Sequence, residues 1–291
     1  PPDGVAREIF GDIRCLLLAP RLLVLQVAHP VVGAGVADHS DFRSDPWGRL
    51  LRTLLSLTTV VHGSPEEARA EARRLRRLHA AMTGIDDHGR PYRALDPGAY
   101  AWVHATLVMG PLDTMALFGT PVTGDRLEAY HRELRGVGRM WGIAEHRLPP
   151  DPAAFNARYA EIVTGELGDN RAVREVLDAL SRPAPPVPRI PAALWGLLTR
   201  PVTRRLTLVT VGTLPPELRE RLGLAWTPRD ERDLRRFARR VRLLVEPLPV
   251  RFRVFLPPLL LRLAAHRRAR AERAARRAER RDRRRGGPPR R

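Results

Sequence analysis

At 291 residues the chain is long enough to bury the core of one domain, or of one domain with an appendage, and its 43% hydrophobic content is ordinary for a globular protein. Its single cysteine, Cys15, excludes an internal disulfide framework and a cysteine-held metal cluster. The net charge of +19 comes from 51 basic residues against 32 acidic ones, and all 51 are arginine; beside abundant alanine, proline and glycine this points to a GC-rich coding sequence, so the charge is weak support for an acidic partner.

Asp3, Arg7, Glu8 and Asp12 precede the first apolar stretch, so no export signal is read there. Cys15 to Val36 approaches the length of a bilayer span, but Pro20, Arg21, Gln26 and His29 interrupt it, and a central charge costs about 2.5 to 3.5 kcal/mol on insertion scales. A buried pair of helices is expected instead. His29 closes the apolar run Leu22 to Val27, and Asp38 and His39 follow nine and ten residues later. Converging, these three would make a histidine and carboxylate site for non-haem iron. Adjacent residues point about 100° apart on a helix and to opposite sides of a strand, so convergence needs a turn. In the alternative reading the cluster caps helices, with Asp38 orienting His39 or receiving an arginine.

Asp45 and Pro46 start a helix that should run to about Val61, the carboxylate accepting orphan N–H bonds and the proline sitting where no N–H partner exists. Leu50, Leu51, Leu54, Leu55, Leu57 and Val60 cover most of its circumference, while Arg49, Arg52, Thr53, Ser56 and Thr59 stack along one side. A guanidinium in such a helix needs an anion; the stripe therefore faces either an anionic ligand or an acidic side chain elsewhere in the fold. Ser64, Pro65, Glu66 and Glu67 form a capping box for the next helix, with Gly84 as its expected exit. There Ala68, Ala72, Leu75, His79 and Met82 share one face, which turns His79 toward the core as a hydrogen-bonded core residue or as a ligand.

Asp96 and Pro97 open a long apolar segment, Tyr100 to Leu117, that carries His104 either beside a cofactor or bonded to a backbone carbonyl. A helix containing Tyr130 to Trp141 ends before the prolines at 149 to 152, and Asp151 starts another. Arg182 to Pro191 holds five prolines and reads as an extended linker. Ile190 to Leu214, broken by Arg200-Pro201 and Arg204-Arg205, has the composition of an interfacial helix. Thr227 to Asp230 caps a helix through Val245, and Pro257-Pro258 precedes the last. The tail after His266 holds thirteen arginines against Glu272, Glu279 and Asp282, ten of the nineteen net positive charges. His62, His88, His131, His146 and His266 stand among charged or turn residues and are assigned to the surface. No strand alternation, repeat, phosphate loop or nucleophile elbow is found.

Several pieces carry a resemblance: Ala28-His29-Pro30, Gly35 to Phe42, Asp45 to Leu50, Leu78-His79, Gly89 to Tyr92, Asp96-Pro97, Trp102 to Thr106, and later Leu214 to Pro216 and Gly223 to Pro228. Across some 250 residues the chain resembles the MpaB-type oxygenase family, which includes the latex-clearing, rubber-cleaving oxygenases. The resemblance implies an all-α, globin-like helical bundle around a buried haem b, with a C-terminal helical cap. It implies His79 as proximal iron ligand, and places Arg49, Arg52 and Thr53 on an Arg-x-x-Lys-Thr segment of the distal side. Arg52 stands where the family has lysine. Arginine keeps its charge and offers no lone pair, which assigns Arg52 to a haem propionate or to bound oxygen rather than to the iron.

The sequence thus reads as a haem-binding core over 1–182, a proline-rich linker over 183–191, a C-terminal helical segment over 192–262 packed on the core, and an arginine-rich tail over 263–291. The function expected is oxidation of a hydrophobic or aromatic small molecule with dioxygen or peroxide, catalysed by Arg49, Arg52 and Thr53, with His79, Arg49, Arg52 and His104 around the cofactor. Leu50, Leu54, Leu57, Trp102, Val103 and Leu107 are the expected apolar lining. Two alternatives stand beside it: a non-haem iron enzyme built on His29, Asp38 and His39, and a basic protein that binds nucleic acid or a membrane surface. Nucleic acid is disfavoured, since basic and aromatic residues do not interleave and no zinc spacing or helix-turn-helix is present. The expected location is cytoplasmic, with peripheral membrane contact through the tail, where each basic residue near anionic lipid contributes about 1 kcal/mol.

Overall fold

The computed structural model describes residues 4–185 and 189–266; part of the proline-rich linker and the arginine-rich tail from 267 onward lie outside the described residues. The chain folds as α1 (Val5–Gly11), α2 (Cys15–Val27), α3 (Pro30–His39), α4 (Pro46–His62), α5 (Pro65–Ala80), β1 (Thr83–Ile85), β2 (Pro91–Arg93), α6 (Pro97–Phe118), α7 (Gly124–Met140), α8 (Pro152–Gly165), α9 (Arg171–Ser181), α10 (Ala192–Thr213), α11 (Pro216–Arg221), α12 (Pro228–Val245) and α13 (Val250–Arg253). Residues 256–266 are helical as well. The fold is all-α.

One local device starts five of these helices. A short polar residue accepts an N–H bond from the first turn, and a proline follows it at a position whose N–H has no partner in any helix. Asp45 accepts from Gly48 N at 2.9 Å, Asp96 from Ala99 N at 2.9 Å and Asp151 from Ala154 N at 2.8 Å. Ser64 with Glu67, and Thr227 with Asp230, form reciprocal capping boxes.

At the centre α2 crosses α6, and Trp102, wholly buried, donates its indole N–H to Leu25 O at 2.9 Å. The Tyr130 hydroxyl from α7 donates to Val108 O at 2.8 Å, so both aromatic polar tips are satisfied within the core. A second apolar cluster joins Leu18 of α2 and Phe118 of α6 to Val209, Leu234 and Ala238. Through it α10 and α12 pack on the N-terminal helices. Beneath α1, the buried Arg14 guanidinium bonds Asp12 at 2.7 Å, Phe118 O at 3.0 Å, and Glu246 from the far end of the chain.

The expected pair of helices is present: α2 runs through Pro20 and meets α3 at a bend of 104°, and among the described residues no single helix is long and apolar enough to cross a membrane. The structure departs from the sequence reading elsewhere. Gly84 does not end α5. It lies in β1, paired antiparallel with β2 opposite Tyr92, a pairing too short to show as alternation. α10 likewise continues through Arg200-Pro201. His62 and His131 are buried, not on the surface: His62 lies under Gly11 of α1, and His131 packs its ring edge-on to Phe155 of α8 at 5.7 Å.

Candidate functional site

α4 and α5 form an antiparallel hairpin that turns at Gly63, so the first turn of α4 lies beside the last turn of α5. This brings Arg49 to the end of the hairpin that carries His79, close enough for its charge to act on the ring. Lower down, the Ser56 hydroxyl donates to Glu71 Oε1 at 2.5 Å and Thr59 donates to Leu55 O at 2.8 Å. The polar stripe on α4 therefore has two parts, one tying the hairpin together and one open at its end.

At the open end the two arginines differ. Arg52 bonds Asp45 Oδ2 at 3.0 Å and also bonds Asp41. This matches the acidic-side-chain reading of the stripe, with the Arg52 charge met by two carboxylates. Thr53 donates its hydroxyl proton to Arg49 O at 3.0 Å. The Arg49 guanidinium has no hydrogen bond or ion pair among the described residues. It keeps a solvent-accessible edge, yet crowding around the guanidinium, followed by the like charge of Arg52, pulls its pKa down.

His79 is partly buried, and its Nδ1 is enclosed with no hydrogen-bond partner among the described residues. Burial first, then the positive charges of Arg49 and Arg74, hold its pKa below 6.5. The ring is neutral at pH 7 and retains a lone pair. It meets Tyr100 of α6 edge-on at 5.7 Å; Tyr100 meets Trp141 at 6.2 Å, and Trp141 meets His104 at 5.9 Å. Neither Tyr100 nor Trp141 figured among the expected site residues, because they come from α6 and the end of α7, and nothing in their local spacing marks them.

His104 lies deeper. One ring nitrogen bonds Leu134 O at 2.9 Å, and burial pushes its pKa down to about 4. It is a core histidine of the carbonyl-bonded kind, one aromatic contact behind the site rather than in it. His29, Asp38 and His39 are not brought together. His29 Nε2 lies 3.6 Å from Glu166, His39 Nε2 bonds Thr83 O at 3.1 Å, and Asp38 accepts from the Tyr92 hydroxyl at 2.9 Å and from Arg171 at 3.1 Å. Among the described residues no three histidine, cysteine or acidic side chains are grouped to hold a metal ion.

Of the expected apolar lining, Leu54, Leu57 and Leu107 face a cavity of about 110 Å³ between α1, α2, α4, α6 and residues 256–260, joined there by Cys15, Thr58 and His62. Trp102 does not line it, since it is core. Near the open end of the hairpin Trp47, Leu50 and Leu78 remain 43–44% exposed. A haem group needs a neutral imidazole, apolar surface for its faces and cations for its propionates. His79, the apolar side chains and Arg49 supply those three chemistries, and the unpaired buried Nδ1 marks a place where the protein alone leaves a polar atom unsatisfied.

Residues 7–243 match the family described as ER-bound oxygenase mpaB/B'/Rubber oxygenase, catalytic domain. Two uncharacterised proteins, one from Mycobacterium bovis and one from Mycobacterium tuberculosis, are each 26% identical over 251 residues, covering 84% of this chain and 94% of the relative. No solved structure matches the chain significantly. The chain belongs to the mpaB and rubber oxygenase catalytic-domain family.

Proposed function

We propose that this oxygenase-family domain is a haem b-dependent oxygenase that oxidises a hydrophobic or aromatic small molecule. The observation that carries the proposal is the neutral His79 ring with its buried, unpartnered Nδ1, beside the unpaired guanidinium of Arg49. When bound, haem b supplies the redox chemistry by which dioxygen or a peroxide is reduced while an organic substrate is oxidised.

The residues divide the work. His79 offers a lone pair from a ring that burial and neighbouring cations keep unprotonated, and this is the state an iron ligand needs. Arg49 presents the guanidinium left over at the mouth of the hairpin and meets carboxylate or developing negative charge through N–H donors. Thr53 has spent its proton on Arg49 O, so its free capacity is that of an acceptor. Arg52 holds Asp41 and Asp45 together and thereby fixes the first turn of α4, on which Arg49 rides. The apolar side chains of Trp47, Leu50 and Leu78, exposed near the open end of the hairpin, support a hydrophobic or aromatic substrate.

The test is reconstitution of the purified chain with haemin, followed by an absorbance scan. A Soret band is expected for the wild type; His79→Gly should lose it and exogenous imidazole should restore it. A wild-type spectrum identical to free haemin, or a band that His79→Gly leaves in place, would overturn the assignment.

A further inference from the structure

The last described segment carries a surface that oxygenase chemistry does not use. From the end of α12 through α13 to the following helix, Leu243, Leu244, Leu248, Val250, Phe252, Phe255 and Leu259 all point out of the fold, with exposures from 43% at Leu248 to 73% at Leu244. Single exposed leucines are ordinary on a protein surface, but seven large apolar side chains within seventeen residues are not. The segment is not loose chain. Arg253 O accepts from Ile13 N at 2.8 Å, Glu246 bonds Arg14 and accepts from Thr120 at 2.9 Å, and Leu256, Pro257 and Leu260 turn inward to wall the apolar cavity. Polar contacts anchor it while its apolar side chains face outward.

Charge chooses the occupant. Arg239, Arg240, Arg242, Arg251 and Arg262 are exposed along the same segment, and the one acidic residue between positions 239 and 266 is Glu246, already engaged by Arg14. The sequence then continues directly into 267–291 with ten net positive charges. A second copy of this ridge would set two cationic surfaces against each other. An anionic bilayer complements both properties, since its acyl region accepts leucine and phenylalanine and its headgroups pair with arginine. The geometry points to residues 243–259 as a monotopic docking surface for anionic phospholipid, in which the apolar side chains insert and the arginines before and after them hold the headgroups. This goes beyond a tail that only lies on the charge, because it gives insertion to Leu244, Phe252 and Phe255.

Sedimentation of the full chain with phosphatidylglycerol–phosphatidylcholine vesicles, against pure phosphatidylcholine, tests it. Binding is expected on the anionic vesicles alone, and Leu244→Asp combined with Phe252→Asp should lower the partition at least tenfold with an unchanged circular-dichroism spectrum. Phe252→Trp supplies a readout without a disruptive charge; the indole emission it adds should shift to the blue on anionic vesicles. No vesicle binding, binding that the double variant leaves intact, or an added emission from Phe252→Trp that vesicles do not shift would each overturn the proposal. So would light scattering that shows a wild-type dimer dissolved by the same double variant, because the ridge would then belong to a second copy.

Discussion

Acidification from pH 7 to 4 should remove about 6 kcal/mol of folding stability through two imidazoles alone. His62 and His104 are both buried, and burial pushes each pKa down to about 4 from an ordinary 6.5, helped at His62 by the charge of Arg7. In that interval the unfolded chain protonates both rings and the folded chain does not, so the unfolded state binds more protons and stability rises with pH. At 1.36 kcal/mol per pH unit, the gap between 6.5 and about 4 is about 3 kcal/mol for each ring. Against a total of roughly 5 to 15 kcal/mol, the loss brings the fold near collapse. The assay is urea unfolding followed by far-ultraviolet circular dichroism between pH 5.5 and 6.5, above the range where ordinary carboxylates titrate. The two rings contribute at most two protons' worth, about 2.7 kcal/mol per pH unit, most nearly reached midway between the two pKa values, and His29, His79 and His131, also depressed by burial, act in the same direction. His104→Gln keeps a donor for Leu134 O and removes one titration, which should lower the slope by about 1.4 kcal/mol per pH unit. A slope that neither His104→Gln nor His62→Gln changes would refute the reasoning.

Three other substitutions separate structure from site. Arg14→Met removes the nearer of the two cationic partners of buried Asp12 and should cost about 3 to 5 kcal/mol in chemical denaturation, a loss that adding Asp12→Ala should partly reverse. Arg49→Gln breaks no ion pair and should leave stability within about 0.5 kcal/mol, while weakening haemin binding in an absorbance titration; Arg52→Gln, which opens two exposed pairs, should change stability little. Gly33→Ala drives a methyl to 2.5 Å from Val27 O and 2.8 Å from the Asn170 amide that caps α9, and a thermal melt should show a loss of about 1 to 3 kcal/mol.

What the sequence made legible follows from how far each determinant reaches. The caps at Asp45, Ser64, Asp96, Asp151 and Thr227 act within one helical turn, and each starts its helix where the local pattern places it. His79 was legible as a core-facing residue for the same reason, because its helix face is written in the positions of Ala68 and Ala72. His62 and His131 were not. Charged neighbours along the chain argued for the surface, but burial comes from Gly11 and Pro257 in one case and Phe155 in the other, each far away in sequence. Arg14 is hidden by the same logic, since the Glu246 that holds it lies 232 residues on. Arg52 shows the intermediate case: its carboxylates were within eleven residues, but across a cap whose geometry only the fold supplies.

The unequal fates of Arg49 and Arg52 also restrict what the site accepts. Arg52 is neutralised by Asp41 and Asp45, and Arg74, the other cation near His79, is paired with Glu71 at 2.6 Å. Of the two cations whose charge acts on His79, Arg49 is therefore the one without an ion pair among the described residues, and Asp41, the carboxylate whose field reaches it, is already bonded to Arg52. A bare divalent cation seeking the His79 ring would meet that positive charge without an acidic ligand to offset it, since metal sites of this kind are built from histidine together with carboxylate. A group that joins a Lewis-acidic centre to its own carboxylates meets both demands at once, one through the neutral imidazole and the other through the guanidinium. On the proposed haem reading, the pairing of a free lone pair with a free cation would favour a porphyrin bearing propionates over a simple metal ion. Reversing the sign at position 49 tests that selectivity: Arg49→Glu should weaken haemin binding more than Arg49→Gln, and should raise affinity for free divalent metal in a calorimetric titration where the wild type shows none.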